Sequence, residues 1–156
     1  MEGLPWEAMS VKARLEHIEN VLSVASKLYG TDENKYNEQA AHLYGLLRQT
    51  WEASIEHELL NLTVRRHGTD VQTQRLMEVE IQDSDYARIQ QGMSKCSTWM
   101  AGHDKSAALD VNRPAPKELR EDIMELREFA KVISGRRKTT EERRKAILKP
   151  QAASLG

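Results

Sequence analysis

The residues best suited to chemistry in this chain sit in two separated strings, Leu46-Leu47-Arg48-Gln49-Thr50-Trp51-Glu52 and Cys96-Ser97-Thr98-Trp99-Met100-Ala101-Gly102-His103-Asp104. On a helix, the Arg48–Glu52 spacing puts both side chains on one face, a single turn apart. His103 follows the amphipathic pattern of the second string, beside a glycine that lets the backbone turn. An arginine, a glutamate and a histidine suffice to cleave RNA without a metal. One group takes the 2′-hydroxyl proton, another protonates the leaving oxygen, and the cation stabilises the phosphorane.

Each of these residues also has an ordinary reading. Arg48 and Glu52 could form a surface helix pair worth ~0.2–0.5 kcal/mol. Against that, arginine before glutamate is the poorer order relative to the helix dipole. The pair also flanks Trp51 within an apolar stripe, between Leu47 and Ile55. It is therefore expected to line a pocket faced by the end of the third helix. His103 could simply cap a helix C-terminus, where the dipole favours it. Trp99 and Cys96 read as core. Arg65, Arg66, Lys95 and Lys105 are the cations placed to contact RNA phosphate, with solvated surface charge as their ordinary reading.

Other chemistries find less support. The chain has no Gly-x-x-x-x-Gly-Lys-Ser/Thr loop, so it does not hold a nucleotide in the P-loop manner. The histidines (His17, His42, His57, His67, His103) include no His-Glu-x-x-His pair. Glu52, Glu56 and His57 share a helical stretch, but no second helix brings matching ligands. No metal and no cofactor are expected.

A chain of 156 residues fits one domain. Its 39% hydrophobic and 30% charged content suits a helical protein with a wet surface. The net charge of −1 makes no overall attraction to nucleic acid. From Arg113 to Lys149, however, twelve Lys/Arg stand against seven Asp/Glu. That run reads either as a phosphate-contacting arm or, more simply, as a solvated, frayed end. One cysteine excludes an internal disulfide and fits a reducing, cytoplasmic setting. There is neither a membrane-spanning apolar run nor a signal-peptide core.

The elements that must position these residues are helices. Pro5 opens the first, with Val11, Leu15, Ile18, Leu22 and Ala25 inward and Gly30 at its end. Thr31 or Asp32 caps a long second helix over 33–67, whose stripe runs from Tyr36 through Leu43, Leu47 and Trp51 to Leu62. Residues 71–81 alternate loosely and predict an extended connector with room for a short strand. Asp83 or Ser84 caps a third helix, ending near Gly102. A fourth runs from Pro116 to Gly135. The expectation is all-α: a bundle of about four main helices over 1–135, then a mobile basic tail over 136–156.

Taken together, Gly3-Leu4-Pro5-Trp6-Glu7-Ala8-Met9, Leu46–Glu52, Glu58-Leu59-Leu60-Asn61, Val71-Gln72-Thr73-Gln74-Arg75-Leu76, Cys96–Asp104 and Pro116-Lys117-Glu118-Leu119 resemble one family. They are similar to the C-terminal part of bacterial ABC/AAA-ATPase-linked anticodon nucleases, the PrrC/RloC-like group. The resemblance reaches to about Lys138, and Cys-Ser-x-Trp-x-x-Gly-His-Asp is its most specific element. It implies a HEPN-type ribonuclease domain, detached here from its ATPase, with Arg48, Glu52 and His103 in the family's catalytic positions. It also implies a phage-defence or toxin effector acting on tRNA or another RNA, and an ATPase partner. A homodimer is the separate arrangement that would let one copy supply His103 in trans. The stretch between Glu52 and His103 is longer than in the tRNA-cutting members. The alternative is a non-catalytic helical module that couples such an ATPase to a partner.

Overall fold

The computed structural model describes residues 3–102 and 112–155, with side chains described as far as Leu148. The fold is all-α, and the described residues include no strand. Four main helices make the bundle: α1 (Val11–Ala25), α2 (Glu33–Ser54), α3 (Asp83–Trp99) and α4 (Pro116–Leu155).

Local chemistry starts three of them. Ser10 Oγ accepts the Ala13 N–H at 3.1 Å, and Asp32 Oδ1 accepts that of Lys35 at 3.2 Å. At α3 the cap is Gln82, one residue earlier than Asp83. The Asp85 carboxylate reaches back to the Gln82 N–H at 2.8 Å in a capping box. Gly30, with φ +83°, supplies the turn between α1 and α2 that a side chain would resist.

Helix α2 is the central element, with α1 on one flank and α3 on the other. Leu15, Ile18 and Leu22 of α1 meet a core that includes Leu43, Leu47 and Trp51 of α2 and Leu119, Ile123, Leu126 and Phe129 of α4. Trp51 packs against Phe129 with ring centroids 5.3 Å apart. Two tyrosines tie α2 to the fourth helix and its approach. Tyr36 Oη donates to the Pro114 carbonyl and Tyr44 Oη to Asp122, each at 2.6 Å. Burial and the hydrogen bond to Asp122 hold the Tyr44 phenol in its neutral form.

Helix α2 does not run on to His67. A π-helical turn over Ile55–Leu59 ends it, and Asn61 and Leu62 then adopt φ of 50° and 57°. Such a turn is open to asparagine but costs leucine ~1 kcal/mol. The tertiary contacts of Asn61 hold it: Nδ2 donates to Glu78 Oε2 at 2.8 Å and to the Arg75 carbonyl at 3.3 Å.

The connector is likewise not a strand. Its Thr73–Glu78 part closes into 3-10 turns, with Arg75 N–H on Gln72 O and Val79 N–H on Leu76 O, each at 3.0 Å. This segment packs along α4, which supplies no strand edge to pair with.

The largest departure concerns the C-terminal end. Helix α4 continues through Gly135 to Leu155, so the basic run is helix rather than tail. A mid-helix glycine costs only ~1 kcal/mol, and the arginines beyond it offset that. Arg136 clamps Asp85 with two bonds of 2.6 and 2.9 Å. Arg137 donates to the Glu58 carbonyl at 2.6 Å, Arg143 pairs with Glu80 at 2.6 Å, and Arg144 donates to the Leu76 carbonyl. Charges that read as a solvated arm therefore fasten α4 to α3, to the π turn and to the connector.

Asp85 is buried, its side chain only 2% exposed. Burial pushes its carboxyl up, but the hydrogen bonds from Arg136 and the Gln82 N–H outweigh it and hold the group below its ordinary value. The clamp therefore stabilises the fold fully above the ordinary aspartate range, about pH 4, and is lost as pH falls through the lowered value. Arg136→Ala strands a buried carboxylate and should cost about 3 kcal/mol. Chemical denaturation at pH 7 would show this as a lowered midpoint, with hydrogen exchange rising first in the C-terminal half of α4. Unchanged exchange there would mean the clamp is not what orders the helix end.

Candidate active site

Arg48 and Glu52 occupy consecutive turns of α2, and burial of their neighbours sets their direction. Leu47 and Trp51 are sealed in the core, which leaves Arg48 and Glu52 on the adjoining face. Both side chains are 37% exposed, and Arg48 Nη1 lies 3.5 Å from Glu52 Oε1. A surface pair alone would contribute little. Arg48 has a second partner, however: its Nε donates to Ser97 Oγ of α3 at 3.0 Å. The guanidinium is thus held between α2 and α3 by one bond to each helix, and at 37% exposure it stays partly open to solvent.

Ser97 belongs to the Cys-Ser-x-Trp string, yet sequence reasoning gave it no role. Its place there is the signal that could have found it. Its neighbour Cys96 is buried, and burial pushes the thiol up to about 12, so it stays protonated and inert at neutral pH.

His103 and Lys105 lie outside the described residues. The chain leading to them is described as far as Gly102, whose φ is +82°. Arg113 fastens this end of α3: its Nε donates to the Trp99 carbonyl at 3.1 Å, and its N–H to Asn37 Oδ1 at 2.9 Å. Gly102 and Ala101 border a cleft of about 500 Å³ with Asn37, Glu38 and Ala41 of α2. Ala41 stands seven residues before Arg48, roughly 10 Å along the helix axis.

Just past Glu52, the π turn adds a polar cluster that sequence reasoning considered only for metal. Glu56 accepts the Arg66 N–H at 2.7 Å and its Nε at 3.3 Å. Burial pushes the Glu56 carboxyl up, but these bonds prevail and lower it. His57 Nε2 lies 3.8 Å from Glu56, and burial lowers its pKa, favouring neutral imidazole at pH 7. Among the described residues, no group of three or more His, Cys, Asp or Glu is arranged to hold a metal ion.

The remaining cations differ in their engagement. Arg65 is exposed, while Arg66 is committed to Glu56. Lys95 bridges Glu118 and Asp122 at 2.8 Å each, joining α3 to α4. Burial lowers its pKa, but these two partners overcome that and raise it. The structure thus brings Arg48, Glu52 and Ser97 together, and gives Lys95 a place between α3 and α4. Among the described residues, no helix is long and apolar enough to cross a membrane. Comparison of the chain with protein families, with curated proteins and with solved structures finds no match to any of them.

Proposed function

We propose that this domain is a metal-independent endoribonuclease. The observation that carries the reading is the cross-helix fixation of Arg48. A guanidinium oriented by Glu52 and Ser97, and partly open to solvent, is preorganised to stabilise charge that grows on a phosphate oxygen. Glu52 and His103 share the proton transfers. One takes the proton of the 2′-hydroxyl as that oxygen attacks the adjacent phosphorus; the other protonates the departing 5′-oxygen. The nucleophile belongs to the RNA, so the products carry a 2′,3′-cyclic phosphate and a 5′-hydroxyl. The family resemblance supports this assignment and adds its setting: a cytoplasmic phage-defence effector, tRNA or another RNA as substrate, and control by an ABC/AAA-type ATPase.

All protons and charges in this scheme are handled by side chains, so cutting of total RNA should survive EDTA. Cutting that stops on chelation and returns with Mg²⁺ or Mn²⁺ would replace it with a metal-assisted route through carboxylates such as Glu52 and Glu56.

A second reading, a non-catalytic helical module that couples an ATPase to a partner, is favoured by one observation. Leu76, Met77 and Val79 of the connector and Ile147 and Leu148 of α4 line an open apolar groove of about 590 Å³. That module would leave RNA intact whatever stands at position 48.

A further inference from the structure

The open apolar groove between the connector and the far half of α4 has a shape and a charge that narrow what can fill it. One wall is the 3-10 segment Thr73–Glu78 with Val79 after it. At three residues per turn, Thr73, Leu76 and Val79 fall on one line, and all three border the groove. Glu78 falls on another line and accepts from the Asn61 amide instead. The opposite wall is Ile147 and Leu148 of α4, with Arg144 one turn before them.

This surface is accessible. Leu76 is 48% exposed, Ile147 58% and Leu148 55%. A single exposed apolar side chain is ordinary, but these line one groove together with Met77 and Val79. From Thr73 to Val79 the wall runs about 12 Å, close to two turns of an α-helix at ~5.4 Å each. That length accepts the i, i+3, i+4 and i+7 side chains of one amphipathic helix.

Charge narrows the choice further. From Arg143 to Lys149 the sequence carries four Lys/Arg and no Asp/Glu. Glu80 matches Arg143, and Glu141 matches Lys145. Arg144 has no such match: it donates to the neutral Leu76 carbonyl and pairs with no carboxylate among the described residues. Its charge therefore stands uncancelled at the groove, with guanidinium donors to spare. A second copy of this chain would set another Arg144 against the same rim, like charge facing like. A bilayer presents a plane, whereas Leu76 and Ile147 stand on opposite walls of a slot.

We propose that this groove binds an amphipathic helix of a protein partner, acidic along its flank. The helix packs its apolar face on Leu76, Val79, Ile147 and Leu148, and one of its carboxylates pairs with Arg144. The groove shares no residue with the set of Arg48, Glu52 and Ser97, so its occupancy does not depend on whether the chain cuts RNA.

The probe is a fluorescent synthetic helix with leucines at i, i+3, i+4 and i+7 and glutamates flanking them. Its twin carries lysines in place of the glutamates. Each is titrated with the full chain, without RNA, and followed by anisotropy. The glutamate helix should bind saturably and about tenfold more tightly than its twin at low salt, the difference shrinking as salt rises. Ile147→Ser, at an exposed position, should weaken it about tenfold. Arg144→Gln keeps a donor for the Leu76 carbonyl and should remove most of the preference between the two helices. Circular dichroism confirms that both variants stay folded. No saturable binding, equal binding of the two helices, or binding that Ile147→Ser leaves unchanged would each overturn the proposal. So would dimers in sedimentation, or binding to phosphatidylserine vesicles, that Ile147→Ser abolishes, because the groove would then belong to a second copy or to a bilayer.

Discussion

Under the proposed chemistry, Arg48→Ala should lower RNA cleavage by roughly 10²–10³-fold, the loss expected when a group aimed at transition-state charge is removed. The fold should survive, because this side chain is 37% exposed and gives up only one bond to Ser97 and one to Glu52. Its unfolding midpoint should stay close to the parent's, since an exposed pair contributes ~0–1 kcal/mol. His103→Ala should cost a comparable ~10²–10⁴-fold through lost proton transfer. The double variant should be little worse than the poorer single one, because both groups serve one step. Cleavage rates and denaturation curves measured on the same preparations decide the matter. Full activity in both single variants would make the residues structural. Loss of folding in both would say the same.

Trp51→Ala should act by the opposite route and destabilise the bundle by ~3–5 kcal/mol. Its ring is sealed between Phe129 and Gly92, so no neighbour can close the space without moving α3 toward α2. Activity at low temperature should track the folded fraction, with no separate loss in the chemical step. A midpoint within 1 kcal/mol of the parent's would show that the ring is dispensable to packing.

How much of this was legible in the sequence depended on where each feature draws its stability. The inward stripes were readable because helical periodicity records burial directly: Leu15, Ile18 and Leu22, or Leu43, Leu47 and Trp51, are buried where their spacing put them. The end of α2 was not. Little in Ile55–His67 opposes a helix locally; the stop rests on Asn61 bonding to Glu78, 17 residues on. The course of α4 was misread for the same reason. Gly135 and the basic run signal an ending, while the partners that overrule it, Asp85 and Glu58, lie 51 and 79 residues away. Within the candidate site, the Arg48–Glu52 pairing followed from spacing alone. Ser97 as the third member did not, because only the packing of α3 on α2 brings position 97 to position 48. Lys95 looked like a free cation from composition and is instead a bridge between two carboxylates.

The most direct test of the account is the chemistry of the RNA ends it makes. The purified chain, incubated with total RNA in EDTA, should release fragments ending in a 2′,3′-cyclic phosphate and beginning with a 5′-hydroxyl, detected by end-specific ligation before and after removal of the cyclic phosphate. Arg48→Ala, prepared in parallel, should produce none above background. Fragments with 3′-hydroxyl and 5′-phosphate ends, or intact RNA from the folded parent chain, would contradict the account.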